Sequence, residues 1–111
     1  MQFSRNEKIS RLIQKELSGI FLNEGKNYFQ GLIITVTHVF LSKDFSSAKV
    51  YLSFFPTKKK EYFLEKINKK KKTIKNHFCF QTKGQLRKTP ELFFYLDNSI
   101  DHYEEIDTLL K

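Results

Sequence analysis

Two neighbouring segments of this chain are expected to form a β-hairpin, and this expectation constrains the fold more than any other feature of the sequence. Residues 32–41, LIITVTHVFL, are dense in the β-branched residues that favour strands. Residues 48–54, AKVYLSF, alternate with a period of two, which predicts a second strand with one buried face. The polar segment 42–47 between them is too short for a crossover, so the two strands should be antiparallel. The buried face of the second strand would carry Ala48, Val50, Leu52 and Phe54.

An amphipathic helix is predicted before the hairpin. Between Arg5 and Leu22 the apolar residues recur with the 3.6-residue period of a helix, and the basic residues lie off that stripe. We expect the helix to end near the turn signal formed by Asn23, Glu24 and Gly25. The apolar stripe consists of Ile9, Leu12, Ile13, Leu17, Ile20 and Phe21.

A kinked helix is predicted after Pro56, which closes the second strand. The apolar residues on either side of the run Lys69–Lys72 would share one helix face, yet four lysines cannot all be buried without partners. The helix should therefore bend at the run or lift away from the core there. Gly84 can terminate the second half of the helix. The shared face would consist of Phe63, Ile67, Ile74 and Phe78.

A third strand and a last helix are predicted in the remaining residues. Because the residue before Pro90 is driven into extended backbone, residues 92–96, LFFYL, are expected to form the strand. Asn98 or Ser99 can then cap a closing helix. Its inner face would carry Ile100, Tyr103, Ile106, Leu109 and Leu110. The predicted order is α-β-β-α-(kink)-α-β-α, an α+β fold with helices on one face of a three-stranded sheet.

The whole chain, residues 1–111, is expected to form a single domain with one core, since a chain of 111 residues leaves no room for a second. Cys79 is the only cysteine, which excludes an internal disulfide and suits a reducing compartment. The first residues lack the apolar segment of a signal peptide, and residues 32–41 are too short to span a bilayer. These features predict a cytoplasmic protein.

The charge of the chain is unevenly distributed. Residues 58–88 carry twelve basic and two acidic residues, whereas residues 89–111 carry one basic and six acidic residues. A codon bias that enriches lysine would not separate the charges in this way. The basic segment indicates a polyanionic partner. We favour nucleic acid over an anionic membrane, because the apolar positions of the second helix are needed to cover the sheet.

Candidate RNA contacts fall into three groups of basic residues. The residues around the predicted kink would contact phosphates without reading the base sequence. A second group precedes the third strand, and a third group lines the outer face of the first helix. For each group the alternative is a solvated, solubilising surface. The complete set is Lys69, Lys70, Lys71, Lys72, Lys75, Lys83, Arg87, Lys88, Arg5, Lys8, Arg11 and Lys15.

Lys49 and Tyr51 are expected on the face of the sheet opposite Val50. An aromatic side chain on an open sheet can stack on an RNA base. For Tyr51 we favour the simpler interpretation that the ring shields the hairpin.

The sequence resembles the ribosome-binding factor A family along almost its whole length. The most specific stretch is 86–99, LRKTPELFFYLDNS, and further similarity lies in residues 5–9, 15–17, 31–39, 42–53 and 106–110. The resemblance implies a type II KH-like fold and a cytoplasmic, monomeric, cofactor-free protein. It also implies binding to the free small ribosomal subunit and its rRNA near the decoding region, during late maturation that includes rRNA processing and folding. Members of this family are often needed most in the cold.

The predicted kink departs from the pattern of that family. KH proteins present a GxxG loop, and many family members have an Ala-x-Gly kink, whereas residues 69–75 here, KKKKTIK, contain no glycine. Close approach of the backbone to a phosphate is therefore not available in the usual way. Lysine side chains would instead make the contact as point charges.

We expect the chain to have no catalytic activity. It has no nucleophile–base pair, glycine-rich phosphate loop or carboxylate dyad. His77 and Cys79 are two residues apart on a predicted helix and so lie on different faces, which argues against a metal site. No metal, cofactor or small-molecule substrate is expected.

Two alternative functions stay open at this point. The domain could be a KH-like module that binds another structured RNA. It could also be an interaction module that docks on a ribosomal protein through its acidic last helix.

Overall fold

The computed structural model describes residues 4–28, 31–86 and 88–97. The elements, in chain order, are α1 (Arg5–Tyr28), β1 (Ile33–Leu41), β2 (Ser47–Phe55), α2 (Lys60–Lys69), α3 (Lys71–Gln81) and β3 (Glu91–Leu96). This order agrees with the predicted one as far as the third strand. The predicted closing helix from Asn98 or Ser99 lies outside the described residues. None of the helices in the described ranges combines the length and hydropathy that a membrane-spanning helix requires.

The three strands form one sheet in the order β1-β2-β3. β1 and β2 pair antiparallel, as the short link between them predicted, with Val39 opposite Val50. β2 and β3 pair parallel, with Val50 opposite Phe94. Parallel pairing requires a crossover, and α2 and α3 supply it. The sheet is therefore mixed, with β2 at its centre.

All three described helices pack on the same face of the sheet, which confirms the predicted α+β architecture. One cluster of buried residues joins α1, α2, α3 and the strands. Each strand contributes every second residue to this cluster, apart from a bulge in β1. The cluster consists of Ile13, Leu17, Ile20, Phe21, Ile34, Val36, Ala48, Val50, Leu52, Phe54, Ile67, Ile74, Phe78, Leu92 and Phe94.

The break between α2 and α3 occurs at Lys70, inside the lysine run where the kink was predicted. Lys70 has φ −97° and ψ 9°, a conformation open to any L-residue, so the break needs no glycine. Its N–H donates to the carbonyl oxygens of Lys66 and Ile67, and its own carbonyl accepts from the N–H of Ile74. The backbone hydrogen bonding thus continues across the break while the helix axis can change direction. Ile67 and Ile74 are both fully buried on either side of it.

The predicted end of the first helix near Asn23–Gly25 is wrong, because α1 continues to Tyr28. One glycine inside a helix costs only about 1 kcal/mol relative to alanine, which is too little by itself to end a long helix. Gly31 has φ 77° and lies just before β1. The left-handed backbone conformation that glycine favours is therefore needed at Gly31.

β1 contains a bulge that the sequence analysis did not predict. The strand register shifts between Val36 and His38, so Thr37 is an extra residue relative to β2. Because of this extra residue, Val36 and Val39 both face the core, while His38 faces the opposite side of the sheet. Gln14 on α1 donates from Nε2 to the carbonyl oxygens of Val36 and Thr37, at 3.1 and 3.4 Å. α1 therefore supplies hydrogen bonds to the carbonyls at the bulge.

The turn between β1 and β2 is organised by the carboxylate of Asp44. Its Oδ1 accepts hydrogen bonds from Oγ of Ser46 at 2.7 Å, Oγ of Ser42 at 2.8 Å and the N–H of Ser46 at 3.1 Å. These hydrogen bonds, led by the Ser46 hydroxyl, lower the pKa of Asp44 from 3.8 to about 2. The same turn holds Phe45 at φ 61°, in the left-handed region.

We predict that Phe78→Ala will lower the free energy of unfolding by about 3–5 kcal/mol, since the ring is fully buried and its loss leaves a cavity. Phe80→Ala, on the same helix but with a side chain that is 80% exposed, should change it by less than about 0.5 kcal/mol. Urea unfolding followed by circular dichroism measures both. Equal effects at the two positions would contradict the placement of α3.

We predict that Asp44→Ala will lower the free energy of unfolding at neutral pH. The difference in this free energy between the variant and the unchanged protein should shrink as the pH falls toward 2. Because folding lowers the pKa of Asp44, its carboxylate stabilises the fold above the unfolded-state pKa and loses this effect as the pH falls through the folded-state value of about 2. Urea unfolding at a series of pH values tests this. Lys43→Ala, at the adjacent exposed position, should change the free energy of unfolding by an amount that does not vary over the same pH range.

Candidate nucleic-acid interface

The lysine run lies on the surface at the break between α2 and α3. Lys69 ends α2 and Lys71 begins α3, so the run is carried by two helix ends. Lys69, Lys70 and Lys72 are exposed, and Lys71 is half-buried. The first turn of α3 contains no acidic residue, so no carboxylate of that turn offsets the charge of the lysines. This part of the surface is suited to contact with an anion.

Two lysines of α3 reach the edge strand β3. The Nζ atom of Lys71 lies 3.9 Å from the ring centroid of Phe93, a cation–π contact. Lys75 donates to Oε1 of Glu91, and this hydrogen bond and the charge of Lys75 lower the pKa of Glu91. Lys75 would therefore have to share or leave this ion pair to contact a phosphate.

Lys69 is also in an ion pair, with Nζ 3.7 Å from Oε1 of Glu65 one helical turn earlier. Both side chains are largely exposed, and such pairs contribute little to stability. This pair therefore holds Lys69 only weakly.

A groove brings together two candidate residues from distant parts of the sequence, Arg5 at the start of α1 and Lys88 before β3. The groove has a volume of about 310 Å³, and Ile9 and Pro90 form part of its apolar wall. The guanidinium carbon of Arg5 lies 5.3 Å from the ring centroid of Phe45, which also lines the groove. The structure thus places a planar cation and an ammonium group at one concave surface, which the acidic residue Asp44 also lines.

The other candidate residues lie elsewhere. Lys8, Arg11 and Lys15 are exposed along α1, and Lys83 is exposed in the turn after α3. Arg87 lies outside the described residues. The predicted set therefore occupies three regions, namely the α2–α3 break with α3, the groove at Arg5 and Lys88, and the exposed face of α1.

A row of aromatic side chains on the open face of the sheet was missed by the sequence analysis, apart from Tyr51. The ring centroids of Tyr51 and Tyr95 are 5.6 Å apart, and those of Tyr51 and Phe40 are 5.7 Å apart. His38 stacks on Phe40 at 6.1 Å. An unbroken alternation along β1 would have put His38 and Phe40 on the core side, so the bulge at Thr37 conceals this row from pattern analysis.

Among the described residues, no group of three or more His, Cys, Asp or Glu side chains could hold a metal ion. Nε2 of His38 lies 3.8 Å from Oδ2 of Asp97.

Comparison with known proteins gives a consistent family. A family model described as ribosome-binding factor A matches residues 5–110. The chain is similar to ribosome-binding factor A of Flavobacterium psychrophilum, with 40% identity over 111 residues that cover 99% of this chain and 85% of the relative.

Solved structures show the same fold. The crystal structure of ribosome-binding factor A from Thermus thermophilus matches with a TM-score of 0.67 and 20% identity, over 84% of this chain and 97% of that one. A homology model of the Thermus thermophilus factor, fitted into the cryo-EM map of a 30S–ribosome-binding factor A complex, matches with a TM-score of 0.62 and 21% identity. That match covers 80% of this chain and 91% of the other. The KH-like fold that the sequence resemblance implied is thereby confirmed.

Proposed function

Because this chain belongs to the ribosome-binding factor A family, we propose that it binds the free small ribosomal subunit through rRNA and assists late maturation of that subunit, including rRNA processing and folding. It would act in the cytoplasm as a monomer, with no cofactor and no catalytic step. The Thermus thermophilus factor that shares the fold was fitted into a 30S complex, which supports the class of partner.

The observation that carries the proposal is the concentration of positive charge around the α2–α3 break. Residues 58–88 have a net charge of +10, and the lysine run at their centre is carried on the surface by two helix ends. Phosphate contacts position a protein on RNA without reading its sequence, and lysine supplies such contacts as a point charge. We assign the first contacts to Lys69, Lys70 and Lys72.

The groove at Arg5 and Lys88 would supply a second set of phosphate contacts. A guanidinium group can hold a phosphate with two parallel hydrogen bonds, which fixes orientation as well as position. Ile9 and Pro90 line the same groove and would exclude water from one side of that contact. Contacts at two separated points would define how the domain is oriented on the subunit.

The proposed mechanism is a shift of populations. Maturing rRNA samples several arrangements, and a protein that binds one of them better than the others raises its population by its differential affinity. Positive charge at two separated points favours the RNA arrangement whose phosphates match both. No chemical step is needed for this effect.

Sedimentation of a cell lysate on sucrose gradients, at low and moderate salt, tests the proposal. The protein should move with free small subunits, be scarce on translating ribosomes, and return to the top of the gradient as salt rises. Binding through phosphates predicts that log affinity falls with log salt by about 0.7–0.9 for each phosphate neutralised. Recovery at the top in both salts would contradict the proposal.

Matched variants separate this proposal from its alternatives. Lys69→Glu with Lys72→Glu should abolish subunit association. Lys69→Glu alone should weaken it more than Lys43→Glu, an equal change of charge at an exposed position outside residues 58–88. If subunit association is lost instead when the charges of Asp101, Glu104 and Glu105 are reversed, the protein docks on a ribosomal protein. Retained RNA binding without subunit association would indicate another structured RNA.

We predict that Glu91→Gln will strengthen binding to purified small subunits by about two- to fivefold, because it frees Lys75 from a weak surface ion pair. Filter binding at low salt measures the change. Glu61→Gln, which removes the same charge from the first turn of α2, serves as the control. An unchanged affinity for Glu91→Gln would remove Lys75 from the set of RNA contacts.

A further inference from the structure

The face of the sheet opposite the core, which we name the open sheet face, carries a group of five aromatic side chains drawn from all three strands. His38 and Phe40 come from β1, Tyr51 from β2, and Phe93 and Tyr95 from β3. Phe40 is 58% exposed, Phe93 40% and Tyr95 41%. These rings therefore expose aromatic surface to water instead of burying it in the core.

The rings are arranged as a row across the strands and not as isolated side chains. Tyr51 on the central strand contacts Tyr95 on one side and Phe40 on the other, with centroid distances of 5.6 and 5.7 Å. His38 extends the row by stacking on Phe40. The bulge at Thr37, supported by Gln14, is what turns His38 and Phe40 to this face.

Positive charge is interleaved with the rings. Lys49 lies between Phe40 and Phe93 in the strand register, so it is one strand away from each ring. Lys71 reaches from α3 around the edge of the sheet and lies over Phe93. Lys49 therefore has an aromatic ring on either side along the sheet.

Two carboxylates lie close to this face. Glu91 is paired with Lys75, and Asp97 lies 3.8 Å from His38. The face therefore offers aromatic rings and cations together, and the exposed carboxylate on it, that of Glu91, is paired with Lys75.

We propose that the open sheet face is a second RNA-binding surface, on which unpaired bases of a single strand stack against the aromatic row while Lys49 and Lys71 contact its phosphates. Proteins that bind single-stranded nucleic acid combine stacking aromatics with cations along the backbone path in this way. The surface goes beyond the proposed phosphate contacts at the helix break, because it engages bases.

Two features favour RNA over a protein or a second copy of this chain. The centre of the face is aromatic and cationic, whereas the exposed apolar pair of Ile33 and Phe55 lies where β1 begins and β2 ends, away from the row. The face is also continuous with the basic break. Lys71 belongs to both surfaces, so a strand whose phosphates contact the lysine run could pass over β3 onto the rings.

Fluorescence anisotropy with the full chain tests the proposal. The probes are a labelled oligouridylate of about ten nucleotides, within the range of such binding sites, and an abasic ribose-phosphate oligomer of the same length. The oligouridylate should bind at least fivefold more tightly than the abasic oligomer, since one base–aromatic stack contributes about that factor or more. Equal binding of the two probes would overturn the proposal.

The variant Tyr51→Leu with Tyr95→Leu keeps apolar surface but removes two rings. It should bind oligouridylate about 25-fold more weakly or worse, and the abasic oligomer as before. Tyr62→Leu, an exposed tyrosine on α2 away from the open sheet face, should leave both affinities unchanged. If circular dichroism shows that the double variant is unfolded, Phe40→Leu at the exposed end of the row replaces it, with at least a fivefold loss expected.

The proposal is overturned if the double variant and Tyr62→Leu bind oligouridylate with the same affinity. It is also overturned if the double variant loses only a concentration-dependent self-association, since the face would then be an interface between copies of this chain. The phosphate contacts at the helix break are tested separately, by the charge reversals and intact small subunits. Failure of either proposal can therefore be distinguished from failure of the other.

Discussion

The cost of burying lysine is the constraint on which this structure depends. Ile67 and Ile74 are both fully buried, and four consecutive lysines lie between them. A continuous straight helix would direct some of these ammonium groups toward the core, where an unpaired charge is too costly to keep. The chain resolves the conflict by breaking the helix at Lys70, so that each half buries its own isoleucine.

The break also determines where charge collects. α2 and α3 together form the crossover that allows β3 to pair parallel with β2, so the residues at the break lie above the β2–β3 side of the sheet. From this position Lys71 and Lys75 reach Phe93 and Glu91 on the edge strand. The feature that protects the core thus places Lys71 where it contacts Phe93 of the aromatic row, and it links the basic break to the open sheet face.

Membership of the ribosome-binding factor A family does not require a glycine at this break. Lys70 adopts φ −97° and ψ 9°, outside the positive-φ region that favours glycine, so a lysine can occupy the break while the chain keeps the fold of the Thermus thermophilus factor. The surface at the break carries lysine side chains, of which those of Lys69, Lys70 and Lys72 are exposed. In the proposed function, flexible ammonium groups contact the phosphates without close approach of the backbone.

The sequence by itself determined the hairpin, the one-sided burial of β2, the broken helix and the segregation of charge. Each of these depends on periodicity or on the cost of burying charge, which are properties of neighbouring residues. The sequence analysis missed three other features, and the tertiary structure decided the last two of them. α1 runs past Gly25 because a single unfavourable residue is weaker than the cooperativity of a long helix. Arg5 and Lys88 meet at one groove, and the bulge at Thr37 exposes the aromatic row, because distant elements supply the contacts. Such contacts join residues far apart along the chain, and no local pattern contains them.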